Sequence, residues 1–264
     1  MMIDTHTHLY LEDFDGDFNE TVARAELAGV DTFVFPAIEK STFEKMMSTH
    51  LRYPQKIFLA AGLHPVSVRE ETYKQELDFV ENTIKNFPYV AVGEIGIDCY
   101  WTTENISLQI QAFERQIEIA CTHNLPVIIH ARNSFNEIFA ILDKRSDLNL
   151  RGIFHAFSGN ADDYEKIKSY GNFLFGLGGI ITFKNSGMTA IVEKMQMNEI
   201  VLETDSPYLT PAPFRGKRNE SANLVLIAKK IAEIKNMNIE TVAEQTTLNA
   251  KKLFFDSENG KLNT

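Results

Sequence analysis

Met2-Ile3-Asp4-Thr5-His6-Thr7-His8 starts as a short apolar run and ends in two histidines one residue apart. Residues i and i+2 of a strand share a face, so a strand ending this way projects both imidazoles to one side, an arrangement suited to one metal ion. Seven similar runs follow, at 30–36, 57–64, 90–95, 126–130, 152–155, 172–177 and 199–203. Stretches with apolar residues at i, i+3, i+4 and i+7 separate them, among them 18–28, 41–51, 70–87, 104–123, 135–142 and 161–170. Strand and helix alternating eight times at a period of about 33 residues predict an α/β fold, a (β/α)8 TIM barrel in a single domain spanning 1–264. The rival is an open doubly wound sheet, but the G-x-G-x-x-G fingerprint after the first strand and the Walker A loop are both missing. Segments 224–236 and 239–255 read as the eighth barrel helix and a C-terminal capping helix, and 256–264 as a frayed end.

The 264 residues, 44% hydrophobic with two cysteines, suffice for a full core and exclude collagen-like, disordered and disulfide-stapled chains. A net charge of −10 argues against coating nucleic acid through bulk charge and leaves room only for a local basic patch. No basic and apolar leader opens the sequence and no run approaches 18 apolar residues, so the expectation is a soluble, cytoplasmic protein with no membrane contact. Cys99 and Cys121 lack a C-x-x-C partner and read as reduced packing residues.

In a barrel, chemistry gathers at the carboxyl ends of strands. His6 and His8 end strand 1, His64 strand 3, Glu94 strand 4, His130 strand 5 and His155 strand 6, and Asp205 follows strand 8. Any one of these histidines alone reads equally as a satisfied core or loop residue; together with two carboxylates they read as a metal site. A carboxylate can bridge two cations, and Glu94 on central strand 4 is the natural bridge. One divalent ion then takes His6, His8, Glu94 and Asp205, and the second takes Glu94, His130 and His155. Glu94 and Asp205 are the candidate catalytic groups, with Asp205 also placed to accept a proton from a metal-activated water. Asp4 reads either as a support for an imidazole or as a polar strand start, and Glu203 as an outer acceptor for a histidine N–H. No Gly-x-Ser-x-Gly elbow or His-Glu-x-x-His helix offers another chemistry.

Seven stretches in order, covering nearly the whole chain, resemble the TatD-like metal-dependent deoxyribonucleases of the amidohydrolase superfamily. They are Asp4-Thr5-His6-Thr7-His8-Leu9, Gly62-Leu63-His64-Pro65, Gly93-Glu94-Ile95-Gly96-Ile97-Asp98, Val127-Ile128-Ile129-His130-Ala131-Arg132, His155-Ala156-Phe157-Ser158-Gly159, Glu203-Thr204-Asp205-Ser206-Pro207-Tyr208-Leu209 and Arg215-Gly216-Lys217-Arg218-Asn219-Glu220. The resemblance implies a barrel with a divalent-metal site that hydrolyses DNA phosphodiesters, often from the 3′ end of single strands. It implies the same metal set of His6, His8, Glu94, His130, His155 and Asp205, and places His64 at the mouth against phosphate. Two departures are Ser221, where proline often follows the Arg-Asn-Glu run, and Cys99-Tyr100-Trp101, where a tyrosine commonly follows the aspartate. Both bear on loop shape and substrate fit.

An anionic substrate and an acidic protein require basic groups concentrated at the site. Arg132, Arg215, Lys217 and Arg218 are the candidate phosphate contacts; the alternative for the last three is a solvated surface loop. Tyr100, Trp101 and Tyr208 read either as stacking partners for unpaired bases or as ordinary loop aromatics. Two rival functions share the barrel: an amide or ester hydrolase, such as a deacylase, using the same ions, and a non-catalytic barrel that binds nucleic acid or a partner. The basic loop favours phosphate over the first, and the complete ligand set argues against the second. The family is usually described as Mg²⁺-dependent, whereas four imidazoles favour Zn²⁺ or Mn²⁺ as the tighter ligand.

Overall fold

The computed structural model describes residues 1–101 and 104–256. Of the end expected to fray, 257–264 lie outside the described residues. Eight strands, β1 (Met2–Asp4), β2 (Val30–Pro36), β3 (Ile57–Ala61), β4 (Ala91–Asp98), β5 (Val127–Arg132), β6 (Gly152–Phe154), β7 (Phe173–Leu177) and β8 (Ile200–Leu202), form one sheet in chain order. Every neighbouring pair is parallel, as helical crossovers require. The ring closes where the Thr5 N–H donates to the Leu202 carbonyl at 3.0 Å and the Asp205 N–H to the His6 carbonyl at 2.9 Å. This is the predicted (β/α)8 barrel.

The surrounding helices are α1 (Phe18–Leu27), α2 (Phe43–Arg52), α3 (Tyr73–Asn86), α4 (Ile106–Thr122), α5 (Phe135–Lys144), α6 (Ala161–Ser169), α7 (Met188–Lys194), α8 (Leu224–Lys235) and α9 (Ile239–Phe254). Local chemistry sets their ends: Asn160 accepts the N–H groups of Asp162 and Asp163 while Asp163 accepts that of Asn160, a reciprocal cap that starts α6. Alternate strand residues such as Phe33, Phe35, Ile129 and Phe175 pack outward on Val22, Phe113, Ile138 and Ile227 of the helices. The opposite face lines the lumen, where the strands supply apolar side chains: Ile3, Val34, Phe58 and Ala60, Ala91, Ile128, Ile153, Leu174 and Val201. These fall into two clusters, β2 to β5 and β6 through β8 to β1, and Phe254 and Phe255 at the end of α9 pack against both. The Asn249 amide of α9 also donates to the Met197 and Ile200 carbonyls, at 2.7 and 2.8 Å. Thus α9 closes the amino-terminal mouth, as a capping helix should, and the carboxyl-terminal mouth is left for chemistry.

Several boundaries differ from expectation: β5 runs on to Arg132, β6 stops at Phe154, one residue short of His155, and β8 stops at Leu202, short of Glu203. β1 stops at Asp4 and β3 at Ala61, so His6, His8 and His64 lie just past their strands. Beyond Asp4 the N–H groups of Thr5, Thr7 and His8 turn to the carbonyls of Leu202, Val34 and Ser206, on three different segments. β4 is longer than expected because Ile95 through Asp98 pair with Ile129 through Arg132. Helix α7 spans only seven residues, too few for an i, i+3, i+4, i+7 pattern to stand out. Among the described residues no helix is long and apolar enough to cross a membrane.

Candidate active site

The carboxyl-terminal mouth gathers five histidines around one carboxylate. Glu94 Oε2 stands 3.1 Å from His6 Nε2 and 3.7 Å from His8 Nε2. Its other oxygen, Oε1, stands 2.8 Å from both His130 Nδ1 and His155 Nε2, and 3.3 Å from His64 Nε2. On the first side His6 Nε2 and His8 Nε2 are 3.2 Å apart, and Asp205 Oδ1 is 3.6 and 3.5 Å from them. Ligands about 2.1 Å from one tetrahedral ion stand roughly 3.4 Å from each other, so these donors fit a cation. On the second side His130 Nδ1 and His155 Nε2 are 3.3 Å apart. The His-x-His pair therefore converges although it lies beyond the strand ladder that predicted its parity.

Outer partners decide which ring nitrogens face the centre. Tyr10 donates its only proton to the Pro36 carbonyl at 2.7 Å, so it accepts from His8 Nδ1 at 2.8 Å and leaves the His8 Nε2 lone pair facing inward. Asp98 Oδ2 accepts from His130 Nε2 at 3.0 Å, which turns Nδ1 to the centre. His64 is arranged the other way. Its Nδ1 accepts the Val66 N–H at 3.1 Å, so its Nε2 carries the proton and presents a donor at the mouth. Neither Tyr10 nor Asp98 stood out in the sequence as a partner; Asp98 shares the strand parity of Glu94, a usable signal, whereas Tyr10 lies outside any strand.

Burial alone would raise Glu94, but the imidazoles of His155, His64 and His6 and the hydrogen bond to His130 hold it well below the usual carboxylate range. Burial opposes protonation of His155, yet Glu94 and Glu203 raise it well above its ordinary value. His130 rises against burial because it lies between Asp98 and Glu94, while burial and the stacked His155 push His6 down. Burial would also raise Asp98, but His130 and the Trp101 and Tyr100 N–H groups bring it to about 2. Imidazoles ligate only through an unprotonated nitrogen, so a cation seated here would compete with protons on His130 and His155.

Glu203 is fully buried, 3.5 Å from His155 Nδ1, and accepts the Ala156 N–H. Gly176 makes room for it, since a Cβ there would come 2.2 Å from Glu203 Oε2. That oxygen, His6 Nδ1 and His155 Nδ1 have no hydrogen-bond partner among the described residues. Asp4 touches no imidazole; it accepts from the Thr204 N–H at 2.9 Å and hydroxyl at 2.6 Å, fixing the segment that carries Asp205. Asp205 itself is held at φ 56°, uncommon for a residue with a side chain.

The cluster opens into a cleft of about 1070 Å³ whose walls include His64, Arg132, Tyr100, Trp101 and Tyr208. Of the four basic residues expected at substrate, Arg132 lines it. Arg218 instead forks onto Asp17 at 2.8 Å and lies over the Phe14 ring. Arg215 covers Phe183 and Lys217 lies over Phe214, and none of these three is part of the cleft wall. Asp17 is 201 residues from Arg218, a pairing no local pattern reveals.

The family model described as TatD related DNase matches residues 3–255. Among curated proteins the chain is 36% identical to the uncharacterized metal-dependent hydrolase YabD of Bacillus subtilis, over 96% of this chain and 99% of that one. It is 32% identical to the human deoxyribonuclease TATDN3, over 96% and 94%. Among solved structures the TatD homolog YJJV of Escherichia coli superposes with a TM-score of 0.88 at 29% identity, covering 96% of this chain and 97% of that one.

Proposed function

The chain belongs to the TatD related DNase family of metal-dependent hydrolases, and from that membership we propose that it cleaves phosphodiester bonds in DNA as a 3′ to 5′ exonuclease on single strands or 3′ ends, within one domain spanning 1–264. The observation that carries a two-ion site is Glu94, whose oxygens divide between His6 and His8 on one side and His130 and His155 on the other. Asp205 completes the first set. We assign two divalent cations there, Zn²⁺ or Mn²⁺ held more tightly than Mg²⁺ because the donors are largely imidazole. When bound, such ions polarise a phosphoryl oxygen and make water acidic enough to lose a proton near neutral pH.

The protein supplies the rest. Asp205, ionised despite its burial because His8 and His6 adjoin it, accepts the proton of the attacking water. The His64 Nε2–H and the Arg132 guanidinium receive the phosphate oxygens flanking the scissile bond. Tyr10 and Asp98 keep the ligand rings aimed.

The test is hydrolysis of 5′-labelled single-stranded DNA by metal-stripped protein resupplied with Mg²⁺, Mn²⁺ or Zn²⁺, beside Glu94→Ala. A ladder shortening from the 3′ end and missing in the variant is expected. Asp205→Asn, which keeps one oxygen, should retain bound ion while turnover falls by about 10²–10⁴. Bound ion without DNA cleavage would reject the nuclease and point to an amide or ester hydrolase.

A further inference from the structure

The rim of the cleft carries two aromatic rings in an unusual position. Tyr100 is 55% exposed and Trp101 64% exposed, just beyond β4. The main chain that carries them is nonetheless fixed, because Asp98 Oδ1 accepts the backbone N–H groups of Tyr100 and Trp101, at 2.8 and 3.0 Å, while its other oxygen holds His130. The rings meet edge to face at 5.0 Å. Arg132 lays its guanidinium 4.0 Å from the Tyr100 ring centre and 5.4 Å from that of Trp101. Among the described residues that guanidinium has no hydrogen bond or ion pair, in contrast to Arg218. Arg132 follows His130 by two residues of strand, about 6.6 Å along it.

From this arrangement we propose that Trp101, with Tyr100 and Arg132, forms a nucleotide subsite: an unpaired base stacks on the indole while Arg132 takes its phosphate. Water is a poor environment for two such rings, and a nucleotide offers both the flat apolar face that they lack and the anion that Arg132 lacks. Sequence tolerance follows, since every base has a π-face. The placement selects for unpaired DNA, because a base inside a duplex cannot offer that face. The proposal deepens the DNA reading above and rests on it.

Trp101 is the only tryptophan in the chain, so its fluorescence reports this subsite alone. The ion-loaded full chain is titrated with dAMP and with 2-deoxyribose 5-phosphate, which keeps the phosphate and lacks the base. Neither contains a phosphodiester bond. We expect saturable fluorescence change with dAMP at a Kd roughly 5- to 150-fold below that of the base-free sugar, read in parallel by calorimetry. Trp101→Ala should abolish that preference and Trp101→Phe retain it. Equal affinity for the two probes, or a preference that survives Trp101→Ala, overturns the subsite. The two readings fail separately: base preference in a protein that cuts no DNA leaves the subsite standing, and DNA cleavage without base preference removes the subsite alone.

Discussion

Replacing Tyr10 with phenylalanine removes one hydroxyl and nothing else, since the buried ring keeps its packing 5.6 Å from Phe35. Two groups then lose their partner in a dry site: the Pro36 carbonyl and the His8 Nδ1–H. Each such loss costs about 1–3 kcal/mol, so the fold should lose about 2–6 kcal/mol, or roughly 4–24 °C in Tm for a chain of this size. The second effect is the diagnostic one. With Nδ1 released, His8 can rotate or change tautomer, and Zn²⁺ or Mn²⁺ affinity should fall by about 10- to 100-fold, the usual scale for losing a hydrogen-bond partner behind a ligand. Urea unfolding measures the first effect and calorimetric ion titration the second. Ion affinity within twofold of wild type, alongside the stability loss, would refute the argument that Tyr10 sets the His8 tautomer.

Asn249→Ala is the matching control at the opposite mouth: it should cost about 2–6 kcal/mol in urea unfolding by stranding the Met197 and Ile200 carbonyls, with ion affinity unchanged. For DNA binding, Arg132→Ala should reduce the slope of log Kd against log salt by about one, whereas Arg218→Ala, whose charge is already spent on Asp17, should leave the slope alone. The hydrogen bond from Arg218, and then Arg24, hold the Asp17 carboxyl below its ordinary range. A depressed carboxyl stabilises the fold above the unfolded value of about pH 4 and loses that contribution as pH falls further, so the stability gap between wild type and Asp17→Asn should be level from pH 5 to 8 and close below about pH 4. A gap that persists in acid would show that Asp17 acts otherwise than by charge.

The barrel was legible because its period repeats eight times, and each apolar run is short, β-branched and followed by a polar end. The gathering of His6, His8, Glu94, His130 and His155 was legible for the same reason: strand ends converge in a barrel whatever the loops do. What escaped is what depends on contacts across the chain. Arg218 looked like a phosphate contact because its loop follows strand 8, yet its charge is taken by Asp17 at the start of α1. His64 showed its place but not its tautomer, which is set by a backbone N–H two residues on. Asp98 became a partner of His130 only because β4 runs four residues past Glu94 in register with β5.

Phe254 and Phe255 touch both halves of the lumen floor. During synthesis the strands emerge first, and Val34, Ala60, Ala91 and Ile128 stay uncovered until residue 255 has left the ribosome. A nascent or truncated chain ending before α9 therefore presents an open apolar floor with its ligand residues already translated, the kind of surface that chaperones hold and that aggregates when they do not. Burial of the lumen floor therefore waits for α9, the last of the described helices, at the far end of the barrel from the ligand residues.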